Sequence, residues 1–180
     1  DISTSRTVTM ASFSDALSSD ADGGTGQLFA EVSHELAVGV ARVEPFAGLA
    51  YVTADLDGAG ESGGAAALAI ESGSLSNTYS TLGLRVAAPL PILSEALSLR
   101  GGLGWRYAFG TVSPVSTLAF AAGGDAFTVV GPAIGRNTAL LDLGASYRFG
   151  QAVAADISYS GAFAENGQSN GLNGLLSVRF

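Results

Sequence analysis

Arginines and carboxylates recur along stretches that are otherwise apolar. Arg85, Arg100, Arg106, Arg148 and Arg179 accompany Glu31, Glu35, Glu44, Asp142 and Asp156. In an extended chain each falls on the side that carries small or polar residues. Such a set can line a polar passage electrostatically. Alternatively, its members can neutralise one another and fill a narrow interior. Charges taken out of water must be paired, so pairing is the default expectation. Other chemistry is poorly supplied. His34 is the only histidine. It falls on an apolar strand face, where it suits an interface better than a base. A Ser-His-Asp triad would need it on the opposite face, and no nucleophile-elbow motif is present. There is no cysteine, and no cluster has metal-ligand spacing. The stretches Gly58 to Gly64 and Gly101 to Gly104 are glycine-rich, but neither opens a helix as a phosphate cradle would. Glycine in curved strands explains them better. The expectation is a chain with no catalytic site, no cofactor and no metal.

The elements that place these charges read as strands. In Leu141 to Phe149, the residues Leu141, Leu143, Ala145, Tyr147 and Phe149 oppose Asp142, Gly144, Ser146 and Arg148. In Val153 to Phe163, the residues Val153, Ala155, Ile157, Tyr159 and Phe163 oppose Ala154, Asp156, Ser158, Ser160 and Ala162. From Asn173 to Phe180, the residues Gly174, Leu176, Val178 and Phe180 oppose Asn173, Leu175, Ser177 and Arg179. This period-2 alternation is the strand signature. Earlier candidates are Arg6 to Phe13, Gln27 to Leu36, Arg42 to Thr53, Tyr79 to Ala88 and Leu97 to Thr111, which makes eight strands.

Alternation alone does not separate a soluble barrel from a membrane barrel, but the strand ends do. Tyr147, Phe149, Tyr159, Phe163 and Phe180 are read at strand termini, where they bracket an apolar band as the girdle of a membrane barrel, and Trp105, Tyr107 and Phe109 are assigned to the same lipid-facing girdle. The connections point the same way. They are short around Gly39, from Pro89 to Ala96 and at Gly150-Gln151. They are long from Ser14 to Gly26, Ala54 to Asn77 and Val112 to Asn137. Short turns on one side and long loops on the other are the arrangement of outer-membrane barrels. The long loops hold much of the acid, including Asp15, Asp20, Asp22, Asp55, Asp57, Glu61, Glu71 and Asp125.

Composition agrees. The 180 residues are 47% hydrophobic but only 8% aromatic, with 25 glycines, and contain no apolar run long enough for a transmembrane helix. The net charge of -8 argues against nucleic acid as a partner. All eight basic residues are arginine. The segment Asp1 to Arg6 has neither the basic nor the apolar region of a signal peptide, so a mature chain or a piece of a larger one is expected.

Several motifs occur in an order that resembles a known family. They are Gln27-Leu-Phe-Ala-Glu31, Val43-Glu-Pro-Phe46 with Ala47-Gly-Leu-Ala-Tyr51, Glu61-Ser-Gly-Gly-Ala-Ala-Ala-Leu68, Ser80-Thr-Leu-Gly-Leu-Arg85, and Arg100-Gly-Gly-Leu-Gly-Trp-Arg-Tyr-Ala-Phe-Gly110. Pro114 to Phe120, Phe127 to Ile134 and the closing Ser177-Val-Arg-Phe180 complete the set. Together they resemble the C-terminal translocator domain of autotransporters, the type V secretion family. His34 departs from the family's usual tyrosine. The resemblance implies an antiparallel transmembrane β-barrel in the bacterial outer membrane that anchors and helps export an upstream passenger domain. It implies outer-membrane lipid, the barrel-assembly machinery and the passenger as partners. Leu176, Val178 and Phe180 would form the assembly signal. Some members of the family cut the passenger away with intrabarrel carboxylates and asparagine, but that needs a junction helix, which this sequence lacks.

The family's domain has about twelve strands around a helix, whereas this chain supplies eight and starts in mid-domain. Strands about 4.8 Å apart and tilted about 40° give a diameter of roughly 16 Å for eight and 24 Å for twelve. A helix about 10–12 Å wide fits only the larger one. Residues 1–180 are therefore expected to be one barrel domain lacking its first strands, with Glu31, Glu44, Arg85, Arg100, Arg106, Asp142, Arg148, Asp156 and Arg179 facing the lumen. The alternative is a small eight-stranded structural or adhesive barrel that acts through its external loops.

Overall fold

A computed structural model describes residues 2–10, 13–90 and 96–179. Among them every regular element is a strand. In chain order these are β1 (Ile2–Met10), β2 (Phe13–Ala21), β3 (Gly23–Ser33), β4 (Leu36–Val38), β5 (Ala41–Leu56), β6 (Ala59–Gly60), β7 (Leu68–Ile70), β8 (Gly73–Pro89), β9 (Leu97–Phe109), β10 (Val115–Phe120), β11 (Phe127–Val130), β12 (Asn137–Phe149), β13 (Val153–Ala164) and β14 (Gly167–Val178). The expected all-β, antiparallel class is what the chain adopts.

The chain divides into two compact units. One comprises residues 29–50, 78–109 and 134–180. It carries most of the main antiparallel sheet, ordered β14-β13-β12-β9-β8-β5-β3, with β4 paired to β5. Neighbours in the sheet are successive long strands of the chain, so the meander expected from the short turns is present. Gly39 (φ 61°) and Gly150 (φ 70°) occupy left-handed positions in two of those turns, which favours glycine. The connection after Pro89 lies partly outside the described residues.

Register brings the alternation of each strand into line with its neighbours. Leu84, Leu103, Leu141 and Gly161 form one row across β8, β9, β12 and β13. Val86, Gly101, Leu143, Tyr159 and Leu172 form the next. Ala88, Leu99, Ala145, Ile157 and Gly174 follow. The reverse face has matching rows of polar and small residues, such as Arg85, Gly102, Asp142, Ser160 and Gly171. A slip of one residue in any strand would mix the two faces. The apolar face is uncovered: Leu103 is 66% exposed, Ile157 54% and Leu172 72%. A sheet built for water buries such a face against a second layer.

The other unit comprises residues 1–28, 51–77 and 110–133. It holds a β1-β2 hairpin, paired from Ile2↔Ala21 to Met10↔Phe13, and a four-stranded sheet ordered β11-β10-β7-β6. It has a small buried core in Leu17, Ala59 and Ala67.

Three sequence expectations change here. The strand expected at Arg6 to Phe13 is Ile2–Met10, and it pairs with Phe13–Ala21 in a separate two-stranded sheet. The expected loops contain β2, β6, β7, β10 and β11. Of these, β2 pairs with β1, whereas β6, β7, β10 and β11 are only two to six residues long and acquire order by pairing across the loops. Leu118↔Ile70 and Ala59↔Ile70 are examples. Finally, the last strand begins at Gly167 instead of Asn173, because the ladder from Ala164↔Gly167 onward imposes extension on a Gly-, Ser- and Asn-rich stretch.

Candidate functional site: the charged face and the Glu61 loop

The charged face of the main sheet bounds a concavity of about 710 Å³, whose lining includes Glu31, Glu44, Arg85, Arg100 and Asp142. Two ion-pair clusters form in it. Arg85 on β8 donates to both oxygens of Glu31 at 2.7 and 2.8 Å and to Glu44 at 3.1 Å. The strand β5 separates β8 from β3, so the guanidinium reaches over an intervening strand. Its Cζ also lies 3.8 Å from the centre of the Phe46 ring, a cation–π contact. The Phe46 ring occupies the space over Gly83, which has no side chain. A Cβ at Gly83 would strike the ring.

The second cluster follows the same plan. Arg100 on β9 donates to Asp156 on β13 at 2.7 and 2.8 Å, a bidentate pair that crosses β12. Gly144 is the β12 residue level with Arg100. A Cβ there would collide with the arginine side chain. Glycine on the crossed strand is what lets the pair form. Sequence alternation marks Arg100 and Asp156 as sharing a face, but nothing local in the sequence names Gly144 as the residue between them.

The remaining expected residues have simpler surroundings. Arg106 stacks over Tyr79 with its Cζ 5.6 Å from the ring centre. Arg148 and Arg179 are exposed, and their backbone N–H groups donate to the carbonyls of Ala96 and Ala152. Glu35 falls between β3 and β4 and borders the concavity. His34 is exposed, and its backbone N–H donates to Pro45.

On the apolar face several aromatics pack against one another. Trp105, Tyr107 and Phe109 form a ladder, with centroids 6.0 and 4.8 Å apart, and the Trp105 indole N–H donates to Asn137 Oδ1 at 3.2 Å. Tyr147 and Phe149 pack edge to face at 4.7 Å. Phe163 is level with Ala139, in the row of Trp105. Tyr159 is a correction. The expected strand terminus is a mid-strand position in β13, level with Leu143 and Leu172, and the Tyr159 hydroxyl donates to Asn170 Oδ1 at 2.6 Å. The strand runs on past it because the ladder with β14 continues to Ala164. Leu176 and Val178 are exposed on β14, level with Ala155 and Val153. Phe180 falls outside the described residues.

The second unit contains a side-chain site within the connection expected to be a plain loop. Arg6 donates from Nε and Nη2 to the two oxygens of Glu61, at 2.6 Å each, and from Nη2 to the Ala66 carbonyl. Glu61 also accepts the Leu68 N–H at 2.8 Å, and Asp15 accepts the Ala66 N–H at 3.0 Å. Ser18 and Ser62 exchange backbone hydrogen bonds. Gly63 (φ 121°) and Gly64 press against Ala16 and Asp15, where a Cβ would not fit. The Glu61-Ser-Gly-Gly-Ala-Ala-Ala-Leu68 motif is thus a structural lock. Its carboxylate holds the turn, and its glycines allow the close approach. The hydrogen bonds and charge of Arg6, aided by the Leu68 N–H, hold the Glu61 carboxyl below its usual range.

Residues 1–160 match the autotransporter β-domain family. Two extracellular serine proteases of Serratia marcescens align with 179 residues, or 99% of this chain, at 36% and 35% identity. The chain spans 17% of the length of each of these relatives.

Proposed function

Because the chain belongs to the autotransporter β-domain family, whose members are transmembrane barrels, we propose that it is part of an outer-membrane translocator. In this reading it anchors an upstream passenger domain and helps export it to the surface of a Gram-negative bacterium. The observation that carries the reading is the sheet with two opposed faces. One is apolar, aligned in register and uncovered; the other is charged and internally paired. On this reading Trp105, Tyr107, Phe109, Tyr147, Phe149 and Phe163 meet lipid near the membrane interfaces, Tyr159 meets it nearer the midplane, and Arg85, Arg100, Arg106, Arg148, Arg179, Glu31, Glu44, Asp142 and Asp156 face the lumen. Residues 1–180 would then act as one domain.

In the sheet order β3 and β14 are the end strands. Open strand edges leave backbone groups unsatisfied in hydrocarbon. Further strands of the same polypeptide would close them. The proteolysis named for the two relatives is not assigned to this chain. The test is made in the full-length protein on intact cells. A protease added outside should reach the passenger, and disrupting the β12 ladder with Ala145→Pro should leave the passenger shielded. A passenger equally accessible in both would overturn the proposal. Leu176, Val178 and Phe180 would address the barrel-assembly machinery. Deleting Phe180 should lower membrane assembly without stopping passage across the inner membrane, and unchanged assembly counts against that role.

A further inference from the structure

The paired arginines leave a contrast at one end of the charged face. Near the short turns after β4 and β12, an adjoining concavity of about 470 Å³ is lined by Arg42, Arg100 and Arg148 with Ser98 and Ser146, and it shares Arg42, Ala87 and Arg100 with the larger, carboxylate-bearing concavity. Among the described residues its lining includes no carboxylate. Arg100 is committed to Asp156, but no ion pair engages the guanidinium of Arg42 or Arg148 among the described residues. The space between them is kept open by small residues. Ser98 is level with Ser146, and Ala87 is level with Arg100. In a chain of net charge -8, this is a cationic hollow bordered by two serines, of which Ser98 donates its hydroxyl to the Ser146 carbonyl at 3.5 Å and Ser146 keeps its own hydroxyl.

We propose that this hollow is an oxyanion site. Guanidinium groups bind carboxylate and phosphate through paired N–H donors, and serine hydroxyls complete such a shell. The site lies at the short-turn end, which is the entry side for an exported chain if the translocator reading holds, and the proposal rests on that reading for its natural occupant. That occupant is a carboxylate of the polypeptide being exported, held as it enters. Free phosphate shares the chemistry and serves as the probe. The contrast with Arg85 and Arg100, whose charges are already neutralised, explains why binding should concentrate here.

The experiment uses the full-length translocator in detergent. Inorganic phosphate is titrated and followed by phosphorus-NMR line broadening, then displaced by a glutamate-rich peptide or by its glutamine counterpart. Broadening in the wild type, displacement by the acidic peptide alone, and at least a tenfold weaker effect in the Arg42→Gln/Arg148→Gln double variant are expected. Heat-modifiable gel mobility verifies that the double variant is folded. If it is not, the single variants Arg42→Gln and Arg148→Gln must each weaken binding in a folded barrel. Displacement by phosphate analogues but not by the acidic peptide would overturn the polypeptide carboxylate as occupant. Equal binding by wild type and folded variants, or no wild-type binding at millimolar phosphate, would overturn the site. Surface exposure of the wild-type passenger, scored separately, reports on the translocator reading itself.

Discussion

The two units solve the same problem, fixing charged side chains on β-structure, in different ways. In the unit built on the β1-β2 hairpin, Glu61 is only 10% exposed on its side chain and ties an arginine to backbone N–H and C=O groups of a glycine-rich turn. Its neighbours include a buried leucine, Leu17, at 2% exposure. This is how a small fold is held together: a modest core plus local hydrogen bonds. In the main sheet the ion pairs span whole strands and lie against glycine, and large apolar side chains stay uncovered on the other face. That unit depends on ladders and on a medium that accepts its apolar face. The same residue types therefore lock a turn in one place and line a concavity in the other.

The sharpest way to break the comparison is to put charge on the uncovered face. Leu141→Arg, level with Leu103 and Gly161, should cost about 2–4 kcal/mol if it lies at the bilayer midplane. Ser146→Arg, on the charged face, should be tolerated. Denaturant unfolding of the full-length protein in lipid vesicles measures both, and equal costs would mean that the faces are assigned the wrong way round.

Next in size is the crossed strand. Gly144→Val should displace Arg100 and cost about 1–3 kcal/mol, the usual range for forcing atoms into occupied space. Combined with Asp156→Asn, the loss should be less than additive, since both changes remove one pair. Full additivity would separate Gly144 from the ion pair.

A smaller, local effect is expected at the turn. Glu61→Gln should raise proteolytic cutting between residues 61 and 68 several-fold while leaving the barrel's unfolding midpoint in place. A shifted midpoint would show that the turn supports the whole barrel.

The least effect is a pH dependence of that same lock. The folded Glu61 carboxyl is depressed below its ordinary 4.5, so its contribution is present above that value and fades as pH falls through the folded value. Hydrogen exchange at the Leu68 amide, corrected for the intrinsic rate, should lose protection below about pH 4.5, where the unfolded group begins to bind its proton. Glu61→Gln should flatten that dependence, and a variant that still shows it would point to another carboxyl.

Alternation is a property of the chain itself. Successive side chains on a strand point to opposite sides, so the membership of each face, the aromatic clusters at Trp105 to Phe109 and Tyr147 to Phe149, and the meander of the long strands were legible from spacing alone. The charges of the candidate site were legible in the same sense: Arg100 and Asp156 fall on one face by counting. Who pairs with whom was not. It depends on interstrand register and on which residue of the crossed strand lies beneath the arginine, and both are set by contacts between segments far apart in sequence. Arg6 and Glu61, 55 positions apart, meet only because β1 and the connection after β6 come together in the folded unit. The short strands of the long connections carry no signal of their own for the same reason. Two to six residues carry too little periodicity to declare a strand, and only pairing with a distant partner makes them one.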